Sequence, residues 1–196
     1  GGGKVKIVLN GPEVVPPFQQ IQPVSAGVFD MLYTHGAYHG GSKGIALAAD
    51  AIDIDPYKRR EVGIFDLIDK YYQKHNNLKL VALPVQSFSG YQMFLKAPLS
   101  ADEDVKGRKI RGVSSYHGVI RALGGTPVVL PPGEVYSALE KGVIDGGCFP
   151  AGGLLTTKFY EVAKYALRPT FGSTNAPIFI NVDRWKKLTN EEQAVV

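Results

Sequence analysis

Cysteine is almost missing from this sequence: Cys148 is the only one in 196 residues. A single thiol excludes an intrachain disulfide and a cysteine metal cluster, and it leaves the redox compartment open. Long apolar runs are missing as well. No stretch approaches the roughly 20 uninterrupted apolar residues that cross a bilayer, so direct membrane insertion is not expected. "GGSKG" lacks the G-x-x-x-x-G-K-[ST] order of a phosphate loop, and no internal repeat or low-complexity tract is present. There is no initiator methionine and no signal segment ahead of "GGGKVKIVLN". At the other end a capping box, Thr189 with Glu192, starts a helix that stops within about two turns. The chain is therefore expected to be cut at both ends from a longer protein.

What is present describes a soluble globular chain, with 44% hydrophobic and 20% charged residues. Its length suffices for a real core, in one large domain or two small lobes. The formal net charge of +4 and a pI near 9.0 favour anionic partners in general without naming one.

Residues 4–9 (KVKIVL) alternate as a strand that Gly11 and Pro12 end, and "AGVFDMLY" is a second apolar run. Over residues 61–75, Val62, Phe65, Leu67 or Ile68, and Tyr72 recur at helical spacing. "LKLVALPV" and "YQMFLK" read as two strands joined by the turn "QSFSG". From residue 106 the pattern becomes regular: strand "RKIRG", helix "SSYHGVIRALG" closed by Gly124, strand "TPVVL", helix "PGEVYSALEKG" closed by Gly142, strand "VIDGGCF". That alternation predicts parallel βαβ units. A third helix is expected over "TTKFYEVAKY", and a strand at 176–182 before the capped terminal helix. The fold class is thus α/β with two lobes, each a mixed or parallel sheet flanked by helices. Lobe I spans 1–96 and lobe II 97–172; residues 173–196 form the strand and helix start that return the chain to lobe I.

Lys106, Arg108, Lys109 and Arg111 place four positive charges in six residues. Alternation sends Arg108 and Ile110 to one face and Lys109 and Arg111 to the other. In open α/β sheets, ligands sit outside the carboxyl ends of the strands, where helix N-termini present free N–H groups. Arg111, last in its strand and followed by Gly112, Ser114 and Ser115, brings a planar fork suited to a carboxylate or phosphate to that position. The other three charges read as solvated surface. Nucleic-acid binding would need basic residues interleaved with stacking aromatics, and the helix after Arg111 carries only Arg121, so no nucleic-acid partner is expected.

Other candidates carry less. His35 and His39 have the i, i+4 spacing of a metal pair, but the glycines around them disfavour a helix and no carboxylate completes the set. The loop instead offers Tyr38 and a histidine to line a cleft, or is a surface turn. Cys148 reads as a small buried hydrophobe; as a nucleophile it would need a base such as His117 brought to it by the fold. Asp145, before Gly146, reads as a turn organiser, and Ser87, Ser89 and Tyr91 fall in the turn between two strands.

"DVKGRKIRG", "ALGGTPVVLPPGEVYSALEKGVIDGG", "KFYEVAKYALRP" and "PIFINVDRWKKLTNEEQ" resemble the extracytoplasmic solute-binding proteins of TRAP transporters, the DctP-type family. The resemblance covers essentially the whole chain and is most specific over residues 104–195. It implies a periplasmic protein, made with a signal peptide, whose two lobes close on a small organic anion and deliver it to a TRAP permease. No catalysis, cofactor or metal is implied. The family's "KIR" arginine, which pairs with the ligand carboxylate, matches Arg111. Its ligand-holding asparagine after "DG" is replaced here by Phe149. A 2-oxo-acid-binding branch carries an acidic residue and an aromatic at the two positions held here by Cys148 and Phe149, so the aromatic is kept and the carboxylate lost. An aromatic wall beside one arginine suits a monocarboxylate with an apolar body. Within this resemblance Ser114 and Ser115 assist Arg111, Phe149, Cys148, Tyr38, His35 and Phe88 shape the pocket, and Asn175 supplies an amide. The alternatives are an enzyme on a similar scaffold using Cys148 or Asp145, and a ligand-sensing module of a regulator.

Overall fold

The structure is a computed structural model and describes residues 3, 5–39, 44–52, 54–87, 89–99, 101 and 104–196. In chain order the helices are α1 (Ile21–Ser25), α2 (Gly44–Ala48), α3 (Ile64–Asn76), α4 (His117–Ala122), α5 (Pro132–Glu140), α6 (Gly153–Thr156), α7 (Val182–Trp185) and α8 (Asn190–Gln193). The strands are β1 (Met31–Tyr33), β2 (Leu78–Ala82), β3 (Val85–Ser87), β4 (Tyr91–Leu95), β5 (Lys109–Arg111), β6 (Thr126–Val128), β7 (Gly146–Pro150), β8 (Tyr165–Ala166), β9 (Thr174–Asn175) and β10 (Ile178–Asn181). The chain divides into two compact units: Gly1–His39, Asp53–Pro84 and Ala176–Val196 form the first, Gly40–Ile52 and Val85–Asn175 the second.

In the first unit, β10 lies between β1 and β2, antiparallel to both. α3 covers this sheet through Phe65, Ile68 and Tyr72, and the Tyr72 ring meets Phe179 of β10 at 4.4 Å. The helix begins at Ile64 behind Gly63, whose φ of 79° glycine adopts without strain. Val62 therefore lies outside it and, like Leu67, is exposed. Asn181 fastens the unit: its amide nitrogen donates to the carbonyls of Val24 and Ser25, and its oxygen accepts from the backbone of Asp183 and Arg184. The capping box at Thr189 and Glu192 is formed.

One expectation fails in this unit. Residues 5–10 form no strand, and Ile7, Val8 and Leu9 are 65%, 71% and 90% exposed. Alternation makes a strand only where a neighbour supplies the ladder and a face to bury, and no described strand pairs with this segment.

The second unit is built on a sheet of order β6-β5-β7-β4-β8. β5 runs parallel to β6 and β7, as the βαβ pattern requires, and β4 is antiparallel to β7 and β8. One face packs Phe94, Val135, Leu139, Ile144, Phe159 and Ala163 into a core. Because Tyr91–Leu95 pairs residue by residue with β7, the boundary expected after residue 96 falls after Pro84. "LKLVALPV" likewise divides, β2 pairing with β10 and β3 with β9. Residues 49–52 join this unit through Asn175, whose amide donates to the Ala49 carbonyl at 2.6 Å, and Ser173, whose N–H and hydroxyl both reach the Asp50 carbonyl. The continuous third helix is absent. α6 ends at Thr156, Lys158 turns left-handed (φ 57°), and a short 3-10 turn, Phe159–Glu161, drives Phe159 into the core.

Candidate anion site

Arg111 ends β5 between Val128 of β6 and Gly147 of β7, its partners in the parallel register. It is 1% exposed, and beside it in the strand Lys109 is exposed and Ile110 fully buried. Gly147 makes the room: a Cβ there would stand 3.3 Å from Arg111 Cβ and 2.8 Å from Phe94 Cζ. The guanidinium is held by neutral carbonyls. Its Nε donates to Leu130 O at 3.0 Å and its Nη1 to Cys148 O at 3.1 Å, while Nη2 is buried without a hydrogen-bond partner. A buried cationic N–H left unpaired is costly, and an incoming anion relieves that cost. Phe149 stands two residues beyond Gly147 on the same sheet face, its ring centroid 5.7 Å from Arg111 Cζ.

The chain leaves β5 through Gly112 and Val113 into a 3-10 turn, Ser114–Tyr116. Both serine Oγ atoms are buried without a hydrogen-bond partner. The helix that follows, α4, has six residues, so its end is a minor source of donors compared with the side chains.

The remaining expected residues are distributed as follows. Cys148 is fully buried, and strand alternation puts its side chain on the sheet face opposite Gly147 and Phe149. It holds Arg111 with its carbonyl, and its thiol does not shape an Arg111 pocket, which corrects the sequence expectation. Burial pushes that thiol up to about 12, with nearby Arg111 pulling more weakly the other way. His117 meets the Gly112 carbonyl through Nε2 at 3.1 Å. Asn175 is buried, and its amide nitrogen, expected to reach a ligand, is already committed to Ala49 O and Ser173 Oγ. His35 and Tyr38 belong to the first unit, whereas Arg111 belongs to the second. There His35 caps the 3-10 turn Gly36–Tyr38, accepting from Ala37 N–H, and Tyr38 packs edge-on against Phe18. Phe88 lies outside the described residues.

His39 shares a 2.6 Å hydrogen bond with the Tyr72 hydroxyl. Asp145, expected to organise its turn, instead fastens the start of β7 to β5: its carboxylate accepts from Lys109 N–H at 2.8 Å while its own N–H reaches Lys109 O. Lys106 and Lys109 are exposed. Arg108 is not simply solvated: it is half-buried and donates to the carbonyls of Ala97 and Pro98, tying down the segment before β5.

A thiol this buried is expected to be inert. With its titration pushed up to about 12, the thiolate population stays small up to pH 9 or so. An aromatic disulfide reagent at pH 8 is expected to label native protein over hours and urea-unfolded protein within minutes. Labelling of native protein at the unfolded rate would contradict the burial described.

Three polar residues of the second unit escape a reading by periodicity. Tyr91 and Tyr116 are 1% and 3% exposed, with rings 4.3 Å apart. Their hydroxyls are hydrogen-bonded to each other, and Tyr91 is hydrogen-bonded in turn to buried Asp50. Burial pushes both phenols up.

A family model described as bacterial extracellular solute-binding protein, family 7 (DctP), matches residues 3–196. The C4-dicarboxylate-binding periplasmic protein DctP of Rhodobacter capsulatus is 35% identical over 98 residues, covering 49% of this chain and 29% of that protein. A TRAP periplasmic solute-binding protein of Desulfovibrio salexigens, solved with orotic acid, superposes with a TM-score of 0.79 at 24% identity, over 94% of this chain and 61% of the other. Another, from Chromohalobacter salexigens DSM 3043 with (S)-(+)-2-amino-1-propanol bound, gives 0.82 at 18% identity, over 93% and 59%. At these identities the two structures establish a common fold. The chain spans about half the length, or less, of the first curated relatives it matches.

Proposed function

The chain belongs to the DctP family of bacterial extracellular solute-binding proteins, and from that premise we propose that it binds a small organic carboxylate at Arg111 for delivery to a TRAP-type permease, without catalysis. The family is extracytoplasmic, which places the chain outside the cytoplasm. The observation that carries the reading is Arg111 Nη2, a cationic donor with no partner in a buried site. Two of the guanidinium nitrogens are fixed by carbonyls, so the third is oriented before any ligand arrives, and preorganisation lowers the entropy cost of binding. The serine hydroxyls of residues 114 and 115 are the nearest further donors along the chain.

The proposed ligand is a monocarboxylate with an apolar body. Among the described residues Arg111 is the one buried cation of the second unit, so a second carboxylate would be desolvated without a partner. Phe149 offers its ring to the apolar part. The test is calorimetry with phenylacetate, 4-methylpentanoate, succinate and 2-amino-1-propanol. One of the two monocarboxylates is expected to bind at least about tenfold tighter than succinate or the amino alcohol. If succinate binds tightest, the ligand class is wrong; if only the amino alcohol binds, Arg111 is not the anchor.

A further inference from the structure

The Phe149 ring is bounded by two neighbours that cannot retreat. It meets Phe159 edge-on at 5.3 Å and 77°, and Phe159 is 2% exposed and stacked in turn on Phe94. Arg111, with Cζ 5.7 Å from the ring centroid, is tied to two carbonyls. A third neighbour counts through what it lacks. Gly153, the first residue of α6, has no side chain, and a Cβ there would stand 2.6 Å from Phe149 Cε1 and 2.9 Å from Cδ1. Carbon atoms in ordinary contact are about 3.5–4.0 Å apart, so the ring occupies space that any other residue at 153 would claim. The backbone does not require the glycine, because Gly153 is not among those with positive φ. Two nearby glycines differ from it. A Cβ on Gly146 would run into the Phe94 carbonyl oxygen, which is backbone, and one on Gly152 would meet nothing within 4 Å. At Gly153 the three nearest atoms all belong to the Phe149 ring, a side chain able to turn.

We propose that Gly153 is a specificity-determining residue of the anion site: the volume it leaves empty sets where the Phe149 ring stands beside Arg111, and so how strongly the site favours a large apolar body on the carboxylate over a small one. This rests on the reading of Arg111 as the carboxylate anchor and Phe149 as the apolar wall, and deepens it. Phe149 is half-buried, so part of its ring is open to a ligand. A methyl at 153 would require the ring to move by roughly 1 Å. Because Phe159 is enclosed and Arg111 is held, the ring yields by turning on its own torsions, and the surface it offers beside the guanidinium is lost. The carbonyl contacts of Arg111 go to Leu130 and Cys148 and do not involve residue 153, so the carboxylate end keeps its donor.

Acetate and two larger monocarboxylates, phenylacetate and 4-methylpentanoate, separate the two ends of the site. Their affinities are to be measured by NMR titration of the wild type, Gly153→Ala, Gly152→Ala, Phe149→Ala and the double variant Gly153→Ala/Phe149→Ala, with circular dichroism of each. The wild type is expected to bind the better of the larger acids at least about tenfold tighter than acetate, the scale of two buried methylenes. In Gly153→Ala that ratio is expected to fall to about threefold or below, with acetate affinity kept within about twofold, while Gly152→Ala keeps the wild-type ratio. Phe149→Ala is expected to lower the ratio likewise, and adding Gly153→Ala to it to change nothing further, since coupling through a shared contact is non-additive. A purely structural role for Gly153 would weaken all three acids together and leave the ratio intact. A ratio that survives Gly153→Ala, a matching fall in Gly152→Ala, a further fall in the double variant or unfolding of Gly153→Ala overturns the inference while leaving Arg111 as anchor. So does a wild type that does not prefer the larger acids. If none of the three acids binds the wild type, or Arg111→Ala binds them as tightly, the anchor reading itself fails, and this inference with it.

Discussion

Arg111→Ala is expected to reduce affinity for the best monocarboxylate by about 2–5 kcal/mol, which takes a micromolar ligand to the range from about 30 μM to several mM. The magnitude follows from the environment. A guanidinium at 1% exposure with one nitrogen unpartnered meets a ligand oxygen in a medium far less polarisable than water, and the contact is charge-assisted. The substitution also leaves the carbonyls of Leu130 and Cys148 without their donor, so some stability is lost in parallel. Arg111→Lys separates the two effects. Lysine keeps the charge but lacks the fork that reaches two carbonyls and a ligand at once, so binding is expected to weaken without vanishing. Calorimetry at a temperature where all three proteins are folded by circular dichroism is the measurement. Alanine binding as tightly as wild type would remove Arg111 from the site.

Arg111 is legible in the sequence for the same reason the β5–α4–β6–α5–β7 run is. Period two gives way to period 3.6 and back, with Gly124 and Gly142 closing the helices in the left-handed region, at φ 82° and 71°. A strand so delimited has a definite last residue. Its alternation separates Lys109 from Ile110, and the same alternation in β7 parts Cys148 from Phe149, although both were expected to face the ligand.

What escapes the sequence is long-range. The contacts of Asn175 with Ala49 and of Ser173 with Asp50 span more than 120 residues, and no local period encodes them. Nothing in "KVKIVL" says whether a neighbour strand will be there, and nothing in "YQMFLK" says which sheet it will join. The boundary between the units moved for that second reason, since the pairing of β4 with β7 decides it. Tyr91 and Tyr116 look from the sequence like a turn residue and part of an apolar helical stripe. Only the fold brings their rings together, 4.3 Å apart.

The largest loss of stability is expected from Phe94→Ala, about 3–5 kcal/mol. Phe94 is 2% exposed in β4, with its ring stacked on Phe159 at 5.3 Å and 27°. Phe159 in turn meets the edge of Phe149, so one ring supports another up to the wall of the anion site. Phe94 also borders a surface pocket of about 110 Å³ with Leu154, Phe159 and Ala163, and deleting the ring would enlarge it. Phe94→Leu fills most of the volume and is expected to cost about half as much. The single tryptophan, Trp185, reports on the first unit, so the effect is to be followed by hydrogen exchange of β4 and β7 peptides rather than by fluorescence. Exchange protection there is expected to fall by roughly two orders of magnitude or more in Phe94→Ala, with monocarboxylate affinity reduced as Phe149 loses its support. A loss below about 1 kcal/mol would mean that the ring stack does not hold the β7 face together, and Phe149 would then have to be positioned by its strand alone.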